Sequence, residues 1–265
     1  MKKNMRSSQL PLKQYDTDKI TSRYLERYDP ILEPWLQKEL TLLEIGVHKG
    51  GSLLLWRDYF PFGTIVGIDI CLPKEFKPTE RVHIYEGSQA DPTFLSHVAN
   101  EMAPAGFDII IDDGSHIGEL TKIAFWHLFD HHLKPNGLYV IEDWGTGYWD
   151  DWDDGKSLDL ESYSRSRVRQ SPSSSRPYRF WLKIRGKLLM KTPMPSHSYG
   201  MVGFIKQLID EQGAHDVTRK LLRSKSGRPS RFESITVTPS IVFVRKTGYP
   251  ASVSPRGVDN CYNSC

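Results

Sequence analysis

Cysteine is scarce in this chain: there are three among 265 residues, an odd and low number that excludes a disulfide framework. Such sparse thiols are typical of a reducing compartment. Also missing is any apolar run near the ~20 residues of a membrane-spanning helix. The basic first residues are not followed by the apolar stretch of a secretory signal peptide. We therefore expect a cytoplasmic protein.

A strong excess of one charge is missing too. Lys and Arg total 35 and Asp and Glu total 32, which gives a net charge of +3 at pH 7. This balance gives no support to a nucleic-acid partner, and we expect none. Hydrophobic residues make up 38% of the chain, which is enough for a sizeable core, so an intrinsically disordered chain is excluded.

What the sequence has is an alternation of short apolar runs with longer amphipathic stretches. Five predicted strands cover residues 42–46, 64–69, 82–87, 107–112 and 137–143. Predicted helices cover residues 15–40, 52–60, 91–102, 118–133 and 201–212. Such alternation predicts a parallel sheet with helices on both faces, and residues 234–239 and 240–246 predict a further antiparallel pair. The predicted fold class is α/β, a Rossmann-like doubly wound sheet of about seven strands, mostly parallel with an antiparallel last strand.

The same pattern predicts the domain organisation. Residues 1–40 form an N-terminal arm and helix, and residues 41–265 form one domain. An insertion at about 144–199 interrupts this domain, because the alternation of strands and helices stops there.

A glycine-rich loop follows the first predicted strand, in LEIGVHKGGS (43–52). Gly46 and Gly50 allow a tight turn and a close approach of the backbone to a ligand. Asp69 ends the next strand, 23 residues after Gly46. An acidic residue at about this distance is typical of one that binds ribose hydroxyls. The arrangement predicts a nucleotide-type cofactor.

Departures from the known phosphate-binding motifs narrow the choice of cofactor. The loop has no terminal Gly-Lys-Ser/Thr, and His48 stands at the second glycine position of G-x-G-x-x-G. Glu44, just before the loop, would repel a pyrophosphate but suits an ammonium group. These features favour S-adenosylmethionine over a dinucleotide. We expect His48 to contact cofactor or substrate, and Ser52 to contact the cofactor.

Acidic pairs end two further strands, in IIDDGSH (110–116) and IEDW (141–144). The four carboxylates belong to Asp112, Asp113, Glu142 and Asp143. If the two strands are neighbours, these side chains converge at the edge where such sheets bind ligands. Crowded like charges are costly unless a proton or a cation bridges them. Hard oxygen ligands without cysteine select Mg²⁺ (or Mn²⁺ or Ca²⁺) over Zn²⁺. The alternative is that single carboxylates cap helices or form ion pairs.

His116 follows Asp113 by three residues. Beside a bound metal, such a histidine can remove the proton from a hydroxyl that the metal polarises. The alternative is a structural histidine without a catalytic role.

Together these motifs resemble those of the class I S-adenosylmethionine-dependent sugar O-methyltransferases, of the mycinamicin and tetracenomycin-rhamnosyl type. The resemblance is carried by YDTDK (15–19), LEIGVHKGGS, WRDYFP (56–61), GIDI (67–70), DDGSH, IEDW, SHSYGMVGFIKQLIDE (196–211) and SIVFVRK (240–246). It implies that residues 41–265 form a methyltransferase domain. The implied reaction is metal-dependent transfer of a methyl group to a sugar hydroxyl of a glycosylated natural product or glycolipid.

The resemblance also implies roles for single residues. Asp113, Glu142 and Asp143 would bind Mg²⁺, and two vicinal oxygens of the sugar would complete its shell. His116 would be the general base. The loop and the resemblance together predict cofactor contacts from Thr17, Gly46, His48, Gly50, Ser52, Asp69, Gln89, Asp91 and Asp113. Members of this family often assemble, so a homo-oligomer is expected.

Three other hypotheses stay open. One is a cephalosporin-hydroxylase-like protein of the same fold. Another is a catechol-type O-methyltransferase that acts on a different vicinal diol. The third is a non-catalytic binding protein of the same fold, which would have no need for clustered carboxylates and a histidine.

The insertion carries three further features. Its aromatic residues, which could stack on a sugar ring or pack in a core, are Trp144, Tyr148, Trp149 and Trp152. Its acidic run, which could be a solvated loop or a second cation site, is Asp150, Asp151, Asp153 and Asp154. Residues 179–191 interleave basic and apolar side chains, which predicts peripheral contact with the inner face of the membrane. The alternative for this segment is a solvated insertion.

Overall fold

The computed structural model describes residues 5–77, 79–158, 197–222 and 227–248. The strands are β1 Leu40–Ile45, β2 Gly63–Asp69, β3 Val82–Glu86, β4 Phe107–Asp112, β5 Leu133–Glu142, β6 Phe232–Val237 and β7 Ile241–Lys246. The helices are α1 Asp18–Thr21, α2 Leu25–Leu32, α3 Gly51–Tyr59, α4 Pro92–Met102, α5 Gly118–His131, α6 Asp153–Ser157, α7 Gly200–Gln212 and α8 Ala214–Leu222.

All of these strands belong to one sheet, in the order β3-β2-β1-β4-β5-β7-β6. β1 to β5 run parallel, whereas β7 runs antiparallel to both β5 and β6. The predicted Rossmann-like α/β fold is therefore confirmed. β1 lies between β2 and β4, so the chain order reverses at this point, and sheets of this kind bind ligands at the carboxyl ends of the strands beside such a reversal.

Side chains of the strands alternate between two apolar cores, one on each face of the sheet. Ile110 of β4 packs in the first core with Phe125 of α5. Ile109 and Ile111 pack in the second core with Trp56 of α3. Burying one side chain of this size stabilises the fold by about 1.5–3 kcal/mol relative to its exposure. The buried central strands thus hold their carboxyl ends at fixed positions.

The prediction of one helix over residues 15–40 is wrong. Thr17 caps the short helix α1 by accepting a hydrogen bond from the backbone N–H of Lys19. Arg23 then adopts a left-handed φ of 58°, which ends the helical path before α2 begins at Leu25. A 3-10 turn at Glu33–Trp35 follows α2 and leads into β1. The apolar spacing that indicated one helix is shared among these shorter elements.

The fifth strand begins earlier than the sequence predicts. α5 ends at His131, and β5 begins at Leu133, which pairs with Phe107 of β4. The register shifts between Phe107 and Ile109, so the Pro-Asn-Gly segment fits within the strand as an irregularity, with Asn136 at a φ of 62°.

Part of the predicted insertion lies outside the described residues. This part is 159–196, and it includes the segment 179–191 for which membrane contact is predicted. Within the described ranges, every helix is too short or too polar to cross a membrane. The predicted domain boundaries and the predicted homo-oligomer stay predictions.

Candidate functional site

A cleft of about 760 Å³ opens at the carboxyl ends of β1, β2 and β4. Its volume is within the ~300–1,000 Å³ of small-molecule sites. The predicted site residues that line it are Thr17, Gly46, His48, Ser52, Asp69, Gln89, Asp113, His116 and Asp143. Three predicted site residues, Gly50, Asp91 and Glu142, are not among its lining residues.

Gly46 brings the glycine loop against the segment that follows β4. Its φ is +97°, and a β-carbon at this position would lie 2.1 Å from the carbonyl oxygen of Asp113. The Asp113 N–H in turn donates a hydrogen bond to the Ile45 carbonyl at 2.9 Å. Only glycine fits this place, and the bare backbone borders the cleft.

Asp69 organises the same loop. Its carboxylate accepts hydrogen bonds from the backbone N–H groups of Val47 at 2.7 Å, His48 at 3.0 Å and Cys71 at 3.1 Å. The half-buried carboxylate also lines the cleft, where its remaining lone pairs are available to a ligand. Asp69 therefore has a structural role whether or not it binds ribose.

Gly50 and Asp91 lie beside the cleft and have local structural roles. Gly50, at a φ of +81°, precedes α3, and a β-carbon there would meet the ring of Phe76 at 2.2 Å. Asp91 caps α4 by accepting from the N–H groups of Thr93 and Phe94. Neither residue lines the cleft, so their predicted contacts with the cofactor stay predictions.

Three of the predicted chemical groups converge at one end of the cleft. Ligand atoms of Asp113, His116 and Asp143 all lie within 4.8 Å of one another. His116 Nε2 lies 3.7 Å from Asp113 Oδ1 and 3.9 Å from Asp143 Oδ2. Burial raises the pKa of Asp143, while a hydrogen bond from the Tyr24 hydroxyl lowers it. Carboxylates that lie this close together are better explained as ligands of a hard divalent cation than as separate helix caps or ion pairs.

Glu142 is placed differently from Asp113 and Asp143. It is buried at the end of β5, where one carboxylate oxygen accepts from the Tyr28 hydroxyl and the other from Lys19 Nζ at 2.9 Å. Burial raises its pKa well above the usual value, whereas Lys19 acts in the opposite direction. Glu142 reaches the cluster indirectly, because Lys19 Nζ also lies 2.6 Å from Asp113 Oδ2.

The expectation that Asp112 joins these carboxylates is wrong. Successive side chains of a strand point to opposite faces. Asp112 therefore lies on the face of the first core, where it accepts a hydrogen bond from Tyr139 at 3.3 Å. Burial raises the pKa of this carboxyl to about 7.

The four aromatic residues of the insertion differ in their surroundings. Trp152 lines the cleft, with its ring centroid 5.6 Å from that of His116. Trp144 donates a hydrogen bond to the Thr238 carbonyl, as a packing residue would. Tyr148 and Trp149 are exposed.

The acidic run also divides. Asp150, Asp151 and Asp153 are exposed, as expected for a solvated loop. Asp154 is buried and accepts hydrogen bonds from the N–H groups of Gly118 at 2.9 Å and Met201 at 2.6 Å. Asp154 thus accepts hydrogen bonds from N–H groups in the first turns of α5 and α7, which have no partner within their helices. These bonds hold the insertion next to His116.

Sequence reasoning missed three side chains of this site. Lys19, Tyr24 and Tyr28 each bond to a carboxylate of the predicted metal set. The two tyrosines are four residues apart, which places them on one helix face. Residues that only pack in a core have the same spacing, so the sequence alone does not identify these tyrosines as part of a site. Glu44 was expected to suit an ammonium group, and the ammonium found 3.2 Å from it belongs to Lys19 of the same chain.

Comparison with known proteins gives a consistent result, although no family model matches the chain. Demethylmacrocin O-methyltransferase of Streptomyces fradiae is 40% identical over 169 residues, which cover 56% of this chain and 42% of the relative. Mycinamicin VI 2''-O-methyltransferase of Micromonospora griseorubida is 38% identical over 152 residues, covering 51% of this chain and 37% of the relative. The chain thus spans less than half the length of each of these curated relatives.

Solved structures agree with these sequence relatives. The MycE methyltransferase from the mycinamycin biosynthetic pathway, in complex with Mg, SAH and mycinamycin VI, has a TM-score of 0.58 and 29% sequence identity. That match covers 84% of this chain and 48% of the MycE chain. The resemblance predicted from the motifs is therefore confirmed: the chain is similar in sequence and in fold to S-adenosylmethionine-dependent sugar O-methyltransferases.

Proposed function

We propose that this chain is an S-adenosylmethionine-dependent O-methyltransferase that acts, with Mg²⁺, on a sugar hydroxyl of a glycosylated natural product or glycolipid. The observation that carries the proposal is the cluster of Asp113, His116 and Asp143 at the end of a cleft bordered by the glycine loop. The similarity to sugar O-methyltransferases supports the same conclusion.

The cleft fits the proposed cofactor. The bare backbone at Gly46 leaves room for close approach, and the Asp69 carboxylate at the end of β2 is placed to accept hydrogen bonds from ribose hydroxyls. Thr17, Gln89 and the backbone around Asp113 complete the walls. When bound, S-adenosylmethionine would supply the methyl group on a sulfonium centre.

The carboxylates fit a hard cation at the same edge. Asp113 and Asp143 offer cleft-facing oxygens, and Mg²⁺ bound there would act as a Lewis acid toward the acceptor. Glu142, the third predicted ligand, does not line the cleft, and each of its oxygens already accepts one hydrogen bond. We therefore assign Asp113 and Asp143 as the main metal ligands. Glu142 could bind the metal only through a second lone pair of one of its oxygens.

His116 is the residue that we assign as general base. Its Nε2 faces both carboxylates, and 13% of its side chain is exposed at the cleft. As the oxygen–methyl bond forms and the sulfur–methyl bond breaks, the hydroxyl proton would pass to Nε2.

The test is a transfer assay with labelled S-adenosylmethionine and a panel of glycosylated acceptors that carry vicinal hydroxyls. We expect label in one or more acceptors with Mg²⁺ and none with EDTA. The matched acceptors, with one of the two hydroxyls already methylated, should react poorly. Absence of transfer to every acceptor, together with no calorimetric binding of S-adenosylhomocysteine, would contradict the proposal.

A further inference from the structure

Lys19 has an unusual environment for a lysine. Its side chain is fully buried, and its Nζ lies 2.6 Å from Asp113 Oδ2, 2.9 Å from Glu142 Oε2 and 3.2 Å from Glu44 Oε1. These three carboxylates stand within one residue of the carboxyl ends of β4, β5 and β1. Burial alone would lower the pKa of the ammonium, but the three neighbouring carboxylates outweigh burial and raise this pKa well above its usual value.

The buried ammonium attaches a wall of the cleft to the sheet. We call residues 15–24 the N-terminal wall, because Asp16, Thr17 and Asp18 line the cleft. Its backbone also packs closely on α3, since a β-carbon on Gly51 would lie 2.1 Å from the Asp16 carbonyl oxygen. Lys19 is the residue of the wall whose charge is held by three strand ends at once.

The same contacts orient Asp113. Its Oδ2 accepts from Lys19, and its Oδ1 is the oxygen that lies nearer to His116. The ammonium that bonds to this carboxylate thus belongs to a residue two positions from Thr17, which lines the cleft. A shorter or uncharged side chain would leave the buried Glu44 and Glu142 and the half-buried Asp113 without their cation, and breaking a buried ion pair in this way is strongly destabilising.

We propose that Lys19 is a positioning residue that couples the two halves of the site, holding the N-terminal wall against the cofactor cleft and turning one oxygen of Asp113 toward His116. The proposal rests on the proposed function, because it takes S-adenosylmethionine as the ligand of the cleft. It adds an element that the metal ligands and the base do not supply, namely an internal cation that assembles the site before any ligand binds.

The test compares Lys19→Met with Lys134→Met. Lys134 pairs with Asp108 at 2.8 Å near the start of β4, so the control removes a lysine–aspartate pair at the other end of the same strand. We expect Lys19→Met to weaken S-adenosylhomocysteine binding by about tenfold or more in calorimetry with EDTA, and Lys134→Met to change it less than about twofold. Amide exchange in residues 15–24 should accelerate only in Lys19→Met.

Affinity measured well below the melting temperature separates positioning from stability. A purely stabilising lysine would lower the melting temperature and leave the affinity of the folded protein unchanged. If Lys19→Met does not fold, the charge-balanced variant Lys19→Met/Glu44→Gln removes a buried carboxylate with its partner, and the same loss of affinity is expected.

Three results would overturn the proposal. One is an S-adenosylhomocysteine affinity within about twofold of the parent in either folded variant. Another is unchanged exchange in residues 15–24 of a folded Lys19→Met. The third, which needs no variant, is exchange of these amides in the ligand-free parent at the rate of an unfolded chain. If the parent itself fails to bind S-adenosylhomocysteine, the proposed function fails, while the exchange data still test the role of Lys19.

Discussion

The carbonyl oxygen of Asp113 lies 2.1 Å from the point where residue 46 would carry a β-carbon, and residue 46 is glycine. This contact joins the loop after β1 to the segment after β4. Since these strands are neighbours, with Ile45 paired to Asp112, the cofactor loop and the carboxylate cluster share one edge of the sheet. A donor and an acceptor bound at these two places would be adjacent.

We predict that Gly46→Ala destabilises the protein by about 3 kcal/mol or more, because it combines a left-handed φ with a backbone clash. Chemical denaturation measures this loss. Gly213→Ala is the control, because a β-carbon on Gly213 would make only ordinary contacts, the nearest at 3.5 Å. Equal stability of the two variants would show that the loop can move away from Asp113.

Replacing His116 should separate chemistry from binding. We expect His116→Ala to lower the turnover rate by ~10²–10⁴ while the S-adenosylhomocysteine affinity changes little, because the ring removes a proton and does not hold the donor. His97→Ala serves as the control, since His97 is exposed on α4 and pairs with Glu101, at 3.7 Å. A rate for His116→Ala within about twofold of the parent would reassign the base.

Tyr24 should influence cation binding through Asp143. Its hydroxyl donates to Asp143, so Tyr24→Phe frees that carboxylate to rotate, and we expect Mn²⁺ affinity to fall by about tenfold. Tyr15→Phe removes a comparable hydrogen bond, to Asp58 at 2.8 Å, away from the cluster. Titration followed by electron paramagnetic resonance should show no loss in this control. An equal effect of both substitutions would mean that the N-terminal wall matters only as a whole.

A pH-dependent contribution to stability is expected far from the site, at Glu211 of α7. Partial burial would raise the pKa of Glu211, but hydrogen bonds from Arg228 and Arg231 outweigh it and lower the pKa to about 2. A carboxylate with a lowered pKa in the folded state stabilises the fold above its unfolded pKa, and this contribution is lost as the pH falls toward 2.

Glu211→Gln should therefore cost about 1–2 kcal/mol at pH 7 and progressively less below pH 4.5. Melting temperatures of parent and variant across this range provide the measurement. Glu233→Gln, at an exposed position of β6, is the control for the loss of one charge. A difference between Glu211→Gln and the parent that stays constant from pH 7 to pH 3 would contradict the prediction.

Much of the fold follows from the sequence because parallel strands covered on both faces are nearly continuous in apolar residues. The apolar runs that end at Ile45, Asp69 and Asp112 predict both the strands themselves and the edge of the sheet, at their carboxyl ends, where ligands bind. The convergence of Asp113 with Asp143 follows from the same rule, since it requires only that β4 and β5 be neighbours.

The remainder depends on contacts between distant segments. Local periodicity does not reveal that Arg23 adopts a left-handed φ of 58° and so ends the helical path before α2. Nor can it reveal that Lys19 is buried, since a lysine in a polar segment is usually solvated. Asp112 is the last residue of β4 and Asp113 the next residue of the chain, yet the side chain of Asp112 lies on the face of the first core, where it bonds to Tyr139.

Mn²⁺ binding to the parent protein and to Asp143→Asn, followed by electron paramagnetic resonance with Mg²⁺ as competitor, tests the cation site most directly. We expect one bound Mn²⁺ per chain that Mg²⁺ displaces, and a loss of affinity of about tenfold or more in Asp143→Asn. Asp150→Asn, in the exposed part of the acidic run, should bind as the parent does. Absence of bound Mn²⁺ in the parent, or equal binding in Asp143→Asn, would contradict the claim that a divalent cation is held by this cluster.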